Sequence, residues 1–290
     1  MVVTEMIASR ELAKANEESC RRLRGDGLPL HVVQIAGRDP QAMAEAARIA
    51  EGSGADIVDI NMGCPAKKVT GGYAGSALMR EPGLALSIIE ATVNAVAVPV
   101  TLKMRLGWDG TTMNAPTIAG MAEAAGVRMI TIHGRTRCQF YEGRADWQAI
   151  RAVREAISVP LVANGDVATR EDARRIRIVS GADAVMIGRG TQGRPWFAGS
   201  IARGLSGDLP PDGGSVAQIA EAHFEAMLSH HGTVRGIRHA RKHLGWYLDR
   251  HASTLAAANR AAILGSMNPG EIIRRLCEAL SASPDRREVA

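Results

Sequence analysis

Short runs of apolar residues, rich in valine and isoleucine, recur along the first two thirds of the chain. Between them lie Ala-rich stretches, such as Pro40–Glu51 and Ala115–Ala125, in which apolar residues follow helical spacing. Strands that alternate with helices predict a parallel sheet whose strands are joined by right-handed crossovers. The predicted strands are Val2–Glu5, Leu30–Ile35, Ile57–Asn61, Val100–Met104, Met129–His133, Leu161–Asn164 and Ala184–Ile187.

The chain repeats one structural plan several times. A helix end, a glycine suited to a left-handed cap, a buried strand and a polar loop follow one another in Ser53–Gly63, Ala125–Arg135 and Ser180–Gly190. A Val-Pro pair precedes two of the strands, at Val98-Pro99 and Val159-Pro160. Such repetition favours a (β/α)8 barrel, in which every unit is built alike. A doubly wound parallel sheet is the competing architecture.

The predicted strands number seven, whereas a closed barrel of this type has eight. The first predicted strand already begins at the second residue of the chain. We therefore expect that one βα unit of the barrel is missing from the front of this sequence.

The pattern changes after Ile201. A linker rich in Gly, Pro and Asp covers Gly204–Ser215, and only helical patterns follow it. The predicted helices are Val216–His231, Thr233–Asp249, Thr254–Leu264 and Gly270–Ala282. The sequence thus predicts a barrel domain over residues 1–204 and a small all-α domain over residues 205–290.

Composition narrows the class of protein. The 290 residues carry a net charge of +5, a mild bias toward a polyanionic partner that scattered surface arginines would also produce. The four cysteines form no C-x-x-C pair, so we expect no metal site and a reducing cytoplasm. No apolar run reaches the roughly 18 residues of a membrane span. Aromatic residues make up only 3%, too few for a general base-stacking platform.

The segment NMGCPAKK, Asn61 to Lys68, ends a predicted strand with a thiol. Pro65 stops the strand and fixes the turn after Cys64, while Lys67 and Lys68 add positive charge close by. From its position alone, the Cys64 thiol could be a nucleophile, a proton donor, a metal ligand or a buried packing group.

Other polar residues lie at the ends of predicted strands, where a barrel has its active site. Burial of the Lys103 ammonium is unfavourable unless a bound anion, or negative charge that develops in a reaction, lies near it. Lys103 could also form a Schiff base. Gln34 suits an amide edge such as that of a flavin ring. His133 is equally compatible with a ligand contact and with a satisfied core histidine.

The last two predicted strands end in glycine-containing loops that suit a phosphate group. The loops after the final strands of a barrel commonly bind phosphate through backbone N–H groups. Arg189 can add a fork of donors. The candidate residues are Asn164, Gly165, Asp166, Gly188 and Arg189.

The second predicted helix of the C-terminal domain is amphipathic. Ile237, Leu244 and Leu248 share one face, whereas Arg235, Arg238 and Lys242 share another. The basic face is either a nucleic-acid contact or an ordinary solvated stripe.

Taken together, NMGCPAKK, TLKMRLGW, TIHGRTR, ANGD, IGRGTQGRPW and IRHARKHLGWYL resemble the tRNA-dihydrouridine synthases, specifically the bacterial B-type subfamily. The resemblance covers nearly the whole chain, and the combination of motifs is specific. It implies an FMN-containing barrel with a C-terminal helical domain. It also implies NADPH-supported reduction of the C5–C6 bond of a D-loop uridine in tRNA, by an enzyme that we expect to be monomeric. Members of this family normally open with an A-P-M-x-G-x-T-D motif, which this chain lacks.

The resemblance also implies roles for individual residues. Cys64 matches the residue that protonates C5 of uracil, and Lys103 and Gln34 match contacts to the flavin ring. We also expect His133 to contact the cofactor. Asn164, Gly165, Asp166, Gly188 and Arg189 match contacts to the ribityl chain and phosphate. The basic residues expected to contact tRNA are Lys67, Lys68, Arg135, Arg137, Arg194, Arg238 and Lys242.

Two further interpretations fit the sequence. One is a flavin-containing barrel that reduces a small molecule such as a dihydroorotate or an enoate. The other is a barrel without a cofactor, inactive as an enzyme, that only binds RNA.

Overall fold

Seven parallel strands form one sheet whose spatial order is the order along the chain. A computed structural model describes residues 1–25, 27–211 and 214–281. The strands are β1 (Ile7–Ala8), β2 (Val32–Ala36), β3 (Ile57–Met62), β4 (Val100–Arg105), β5 (Met129–His133), β6 (Leu161–Asn164) and β7 (Ala184–Met186). Flanking helices and a purely parallel sheet in sequential order confirm the prediction of a (β/α)8-type barrel architecture, with seven strands among the described residues.

The prediction that the first strand covers Val2–Glu5 was wrong. Only Val3 forms a bridge in this segment, to Val32, and the paired strand is Ile7–Ala8 instead. The Thr4 hydroxyl accepts a hydrogen bond from the backbone N–H of Gln34 at 3.0 Å, so this segment is attached to β2 partly through a side chain.

Two compact units make up the chain. The first contains Met1–Asp166 and Arg174–Met186, and the second contains Val167–Ala173 and the described residues from Ile187 onward. The second unit thus includes residues 187–204, which precede the predicted domain boundary. Where functional domains divide stays a prediction.

Helices of the barrel pattern separate the strands. They are α1 (Ser9–Ala13), α2 (Glu17–Arg22), α3 (Pro40–Gly52), α4 (Lys67–Thr70), α5 (Pro82–Val93), α6 (Ala115–Ala124), α7 (Arg151–Ala156) and α8 (Arg170–Ser180). A 3₁₀ helix, Gly75–Arg80, lies between α4 and α5.

Four helices follow the linker, as predicted. The second unit contains α9 (Phe197–Ala202), α10 (Val216–His231), α11 (Thr233–His251), α12 (Ala257–Gly265), α13 (Pro269–Ser281) and the 3₁₀ helix Arg189–Thr191. Ile237, Leu244 and Leu248 are buried in the core of this unit, which confirms the predicted apolar face of α11. The helix predicted to begin at Thr254 begins at Ala257. Ala282, the predicted end of the last helix, and residues 212–213 of the linker lie outside the described residues.

The strands of the first unit alternate between apolar and polar side chains. On β3, Val58 and Ile60 are fully buried, while the polar residues between and after them are Asp59 and Asn61. The same alternation continues on β4 and β5 and is in register, since Asp59 pairs with Thr101, and Asn61 pairs with Lys103. Because alternate residues of a strand point to opposite faces, the polar residues share one face of the sheet. In a barrel this face is the interior.

The two Val-Pro repeats have a common structural explanation. Glu51 near the end of α3 accepts hydrogen bonds from the N–H groups of Ala97 and Val98, at 2.7 and 3.1 Å. Glu123 in α6 does the same for Ser158 and Val159, both at 2.9 Å. A carboxylate at a helix end therefore fixes the entry to a later strand, twice in the chain.

Replacing Glu123 by Ala is expected to lower the free energy of unfolding by about 1–2 kcal/mol, because two backbone donors lose a charged acceptor. Glu123→Gln retains an acceptor oxygen and should lose less. Urea unfolding of the two variants measures the difference. Equal stability of wild type and Glu123→Ala would show that water replaces the carboxylate without loss.

No helix in the described ranges is long and apolar enough to cross a membrane.

Candidate active site

The backbone of Cys64 is fixed from two sides at the end of β3. The side-chain oxygen of Asn61 accepts the N–H groups of Gly63 and Cys64, at 3.0 and 2.9 Å. From the other side, the backbone N–H and the hydroxyl of Ser76 both donate to the Cys64 carbonyl, at 3.1 and 2.9 Å. The thiol itself is half-buried. The loop therefore holds Cys64 at the carboxyl end of the sheet without using its sulfur.

A chain of hydrogen bonds runs from this loop into the interior. The Asn61 amide donates to the Gln34 oxygen at 2.7 Å, and the Gln34 amide donates to Asp59 at 2.7 Å. The other oxygen of Asp59 accepts the Thr101 hydroxyl at 2.6 Å. Because each group has a definite donor or acceptor role, the orientation of the Gln34 amide is determined by its neighbours.

Asp59 and Lys103 are ionisable groups on the same interior face. Burial raises the pKa of Asp59, although the hydrogen bonds from Thr101 and Gln34 and the charge of Lys103 oppose that rise. Burial also lowers the pKa of Lys103 to about 8, against the attraction of Asp59. No described residue accepts a hydrogen bond from the Lys103 ammonium, so its donors remain available to a ligand.

Two buried arginines support the surrounding loops. Arg105 donates to the carbonyls of Gly63, Thr136 and Phe140, each at 2.8 Å. Burial lowers its pKa to about 10, so the guanidinium remains charged at neutral pH. The loop that carries Cys64 is thereby joined to the loop after β5.

Arg135 is only 2% exposed, and its guanidinium binds other groups of the protein. Its guanidinium donates to the carbonyls of Glu142 and Gly143 and pairs with the Asp166 carboxylate at 2.7 Å. It also lies 3.3 Å from the Nε2 of His133. Burial, together with the nearby cations, lowers the pKa of His133 to about 3, so the imidazole is neutral at pH 7.

The Asn164-Gly165-Asp166 turn follows β6 in the first unit. Gly165 has a φ of +126°, and a Cβ there would lie 2.7 Å from the Cβ of Ala145, so no other residue fits. The Gly165 carbonyl accepts the indole N–H of Trp147 at 2.9 Å. Asn164 donates to the Met186 carbonyl at 2.8 Å. The backbone of this turn is therefore tight, and its binding of phosphate stays a prediction.

Sequence comparison was decisive for the family. Residues 1–268 match the family model described as dihydrouridine synthase. The chain belongs to the dihydrouridine synthase family. A probable tRNA-dihydrouridine synthase from Rhizobium leguminosarum bv. phaseoli is 61% identical over 100% of this chain and 90% of its own length. The tRNA-dihydrouridine synthase B of Yersinia pestis is 46% identical over 87% of this chain and 80% of its own length.

A solved structure supports the fold. Histamine dehydrogenase from Rhizobium sp. 4-9 aligns with 98% of this chain and 58% of its own chain, with a TM-score of 0.53 at 12% identity. These findings confirm the predicted family and the predicted enzyme class, since dihydrouridine synthases are flavin-dependent oxidoreductases.

The site fits the flavin that the family implies. On one interior face it offers a fixed Gln34 amide, a neutral His133 imidazole and the Lys103 ammonium, to which the described part of the chain supplies no acceptor. A cation, an amide and backbone donors are the groups that a flavin ring and its phosphate would require. Within the described ranges, no group of three or more His, Cys, Asp or Glu side chains is placed to hold a metal ion.

The remaining predicted residues are distributed over both units. In the first, Lys67 and Lys68 are exposed on α4, directly after the Cys64 loop, and Arg137 is half-buried between Trp108 and Phe140. In the second, Gly188, Arg189, Arg238 and Lys242 are exposed. Arg194, also in the second unit, is 2% exposed and donates to the carbonyls of Gly190 and Ala168.

Sequence reasoning missed four residues that organise this dihydrouridine synthase site: Asp59, Asn61, Thr101 and Arg105. A signal was present for all four, because they are polar residues at alternate positions in otherwise apolar strands. The partners of Arg105 could not be predicted from this pattern, because its three acceptors are carbonyls of distant loops.

The buried histidine predicts sensitivity to acid. His133 has a folded-state pKa of about 3, below the value of about 6.5 in an unfolded chain, so the unfolded state binds more protons between these values. Stability should therefore fall as pH drops through 6.5, by about 1–2 kcal/mol between pH 6.5 and 5 from this group alone. Urea unfolding at several pH values measures the slope, which should be shallower in His133→Gln. The same slope in both proteins would contradict the assignment.

Proposed function

We propose that this chain reduces a D-loop uridine of tRNA to 5,6-dihydrouridine, with FMN as cofactor and NADPH as electron donor. The observation that carries the proposal is the presence of two groups: the thiol of Cys64, whose backbone is held in place, and the half-buried Lys103 cation, which has no hydrogen-bond partner among the described residues. Both lie at the carboxyl end of the sheet, where barrel enzymes carry out their chemistry. The sequence of this chain places it among dihydrouridine synthases.

The residues proposed to hold FMN divide by chemistry. Lys103 would bind the negative charge of the reduced ring, Gln34 would bind the pyrimidine edge, and His133 would contact the ring as a neutral imidazole. When bound and reduced, the flavin supplies the hydride that goes to C6 of uracil. The proposed contacts to the ribityl chain and phosphate are Asn164, Gly165, Asp166, Gly188 and Arg189.

Cys64 is proposed to donate the proton that goes to C5 of uracil. Hydride addition to C6 leaves enolate-like charge that a proton at C5 quenches, so reduction of the double bond requires one acid and no nucleophile. The network through Asn61 holds the Cys64 backbone, and this rigidity would keep the thiol over its substrate.

The proposed tRNA contacts are the accessible basic residues. Lys67 and Lys68 lie next to the Cys64 loop, and Arg238 and Lys242 lie on the exposed face of α11. Phosphate contacts of this kind would offset the few kcal/mol needed to unstack a uridine. We assign no RNA contact to Arg135 and Arg194, because their guanidinium groups are buried and bound to protein carbonyls. The helical domain, residues 205–290, is proposed as the tRNA-binding domain of a monomeric cytoplasmic enzyme.

Replacement of Cys64 by Ala should leave flavin retention unchanged and lower the rate of dihydrouridine formation by 10²-fold or more, since the proton donor is lost. The measurement is mass spectrometry of unmodified tRNA after incubation with FMN-loaded protein and NADPH, with Cys138→Ala, an exposed cysteine, as the control. Loss of flavin without a separate effect on rate would make Cys64 structural. If wild type leaves tRNA unchanged but reduces a small enoate, the small-molecule alternative is correct.

Lys103→Met should have opposite effects on stability and on cofactor binding. At pH 7 the free energy of unfolding of the flavin-free variant should exceed that of flavin-free wild type by about 1–3 kcal/mol, because the substitution removes a charge whose burial lowers its pKa to about 8. This gain in stability should disappear as the pH rises from 8 to 10.5, because in this range Lys103 is deprotonated in folded wild type but still protonated in its unfolded chain. FMN retention should decrease. Lys67→Met, an exposed control, should change neither quantity.

A variant that is less stable and retains FMN as well as wild type would remove Lys103 from the proposed cofactor site.

A further inference from the structure

Arg135 joins three segments of the first unit at the carboxyl end of the sheet. It lies two residues after β5, and its guanidinium donates to the carbonyls of Glu142 and Gly143, at 3.0 and 2.7 Å. It also pairs with the carboxylate of Asp166, after β6, at 2.7 Å. A buried guanidinium with several such bonds is held in one orientation, so Arg135 fixes these segments relative to one another.

The turn that Arg135 holds has an unusual backbone. Gly165 has a φ of +126°, and Asp166, which follows it, has a φ of +55°. The left-handed region is unfavourable for a residue with a Cβ, although aspartate is among the few that adopt it. The Asp166 carboxylate offsets this strain, because it also accepts the N–H of Ala145 at 2.7 Å. The conformation of the turn therefore depends on contacts between the Asp166 side chain and the protein.

These contacts also determine what the turn can offer to an anion. An unpaired carboxylate would repel a phosphate group, whereas the Asp166 carboxylate is paired with the buried Arg135 cation. Backbone N–H groups of glycine-containing turns are common ligands of phosphate. Asp166 would thus contribute its backbone to a phosphate site, and not its side chain.

Arg135 also determines the tautomer of His133. Its Nη1 lies 3.3 Å from the Nε2 of His133. A guanidinium can only donate, so Nε2 is the acceptor in this contact. The imidazole is neutral at pH 7, because burial and nearby cations lower its pKa to about 3. Its single proton is therefore on Nδ1, which becomes a donor.

We propose that Arg135 is a positioning residue of the cofactor site. Through Asp166 it holds the turn after β6 in the conformation that binds the phosphate of FMN, and through Nε2 it keeps the proton of His133 on Nδ1. The inference rests on the proposed function, because it takes FMN as the occupant of the site. It gives a role to an arginine that is too buried to contact tRNA.

Comparison of FMN with riboflavin, which lacks only the phosphate, isolates the effect on the turn. Asp166→Gly permits the positive φ but removes the contacts to Arg135 and Ala145. It should weaken FMN binding by about tenfold or more, because the phosphate loses positioned donors, and change riboflavin affinity by less than about twofold. Asp166→Asn keeps an acceptor oxygen and should lose less FMN affinity than Asp166→Gly. Quenching of flavin fluorescence measures each dissociation constant with the purified full chain.

Asp183→Gly is the matched control. The Asp183 carboxylate likewise accepts from an arginine, Arg154 at 2.9 Å, and from a backbone N–H, that of Leu161 at 2.8 Å. It lies at the amino end of the sheet, directly before β7. This variant should bind both flavins within about twofold of wild type.

Three results of the flavin titrations would overturn the inference. Equal loss of FMN and riboflavin in Asp166→Gly would mean that the carboxylate contacts the part that the two flavins share, or that the whole site loosens. Tighter FMN binding would show that Asp166 repels the phosphate. If wild type binds neither flavin, the proposed function fails and this inference fails with it, whereas the first two results leave the proposed function intact.

The tautomer is tested in the flavin-free protein, so this measurement does not depend on the proposed function. Proton–nitrogen correlation NMR at pH 7 should show the His133 proton on Nδ1, with the resonance identified by its absence in His133→Gln. Arg135→Lys cannot span the carbonyls, the carboxylate and Nε2 together. It should give a mixture of tautomers and the same selective loss of FMN affinity.

A proton on Nε2 in wild type, or an unchanged tautomer in Arg135→Lys, would contradict the role of Arg135 at His133. The wild-type spectrum and the titrations of Asp166→Gly decide the inference even if Arg135→Lys does not fold.

Discussion

The burial of polar and charged side chains on the inner face of the sheet is the constraint on which this site depends. Asp59 is 4% exposed, and Lys103 on the neighbouring strand has a pKa lowered to about 8 by burial. Such groups are unfavourable in a protein interior unless hydrogen bonds and opposite charges offset the loss of water. Thr101 and Gln34 supply hydrogen bonds to Asp59, but nothing described binds the Lys103 ammonium. The buried carboxylate therefore has its hydrogen bonds within the protein, whereas the Lys103 ammonium still lacks an acceptor among the described residues.

The same network connects the interior to the loop that carries Cys64. Asn61 donates inward to Gln34 and accepts outward from the backbone of Cys64, so one side chain links the proposed cofactor contacts to the proposed proton donor. Arg105 ties the Gly63 carbonyl to the loop after β5 in a similar way. The backbone of Cys64 is thus positioned by groups that also line the proposed flavin site, which would allow hydride and proton to be delivered to adjacent carbons.

The fold could be predicted from the sequence wherever apolar and polar residues alternate regularly. The bounds of β5 and β6 were predicted to the residue, because apolar and polar positions change there at sharp turns. Val2–Glu5 has the right composition for a strand, yet the ladder forms at Ile7–Ala8, since pairing with β2 overrides local propensity. The polar residues at the ends of the predicted strands indicated Cys64, Lys103 and Gln34 as candidate site residues, and their roles stay predictions. The partner of Arg135, Asp166, is 31 residues away, so no local pattern could show that this guanidinium is buried.

The measurement that tests the central claim most directly is the flavin content of the purified full chain. The account predicts that the protein takes up about one FMN per chain, shown by the visible absorption band of bound flavin and by FMN released on denaturation. The bound fraction should fall as pH rises through 8, where the Lys103 ammonium loses its proton. A protein that stays colourless after incubation with excess FMN, or that binds FMN equally well at pH 7 and pH 10, would contradict the claim that the buried cation exists for the cofactor.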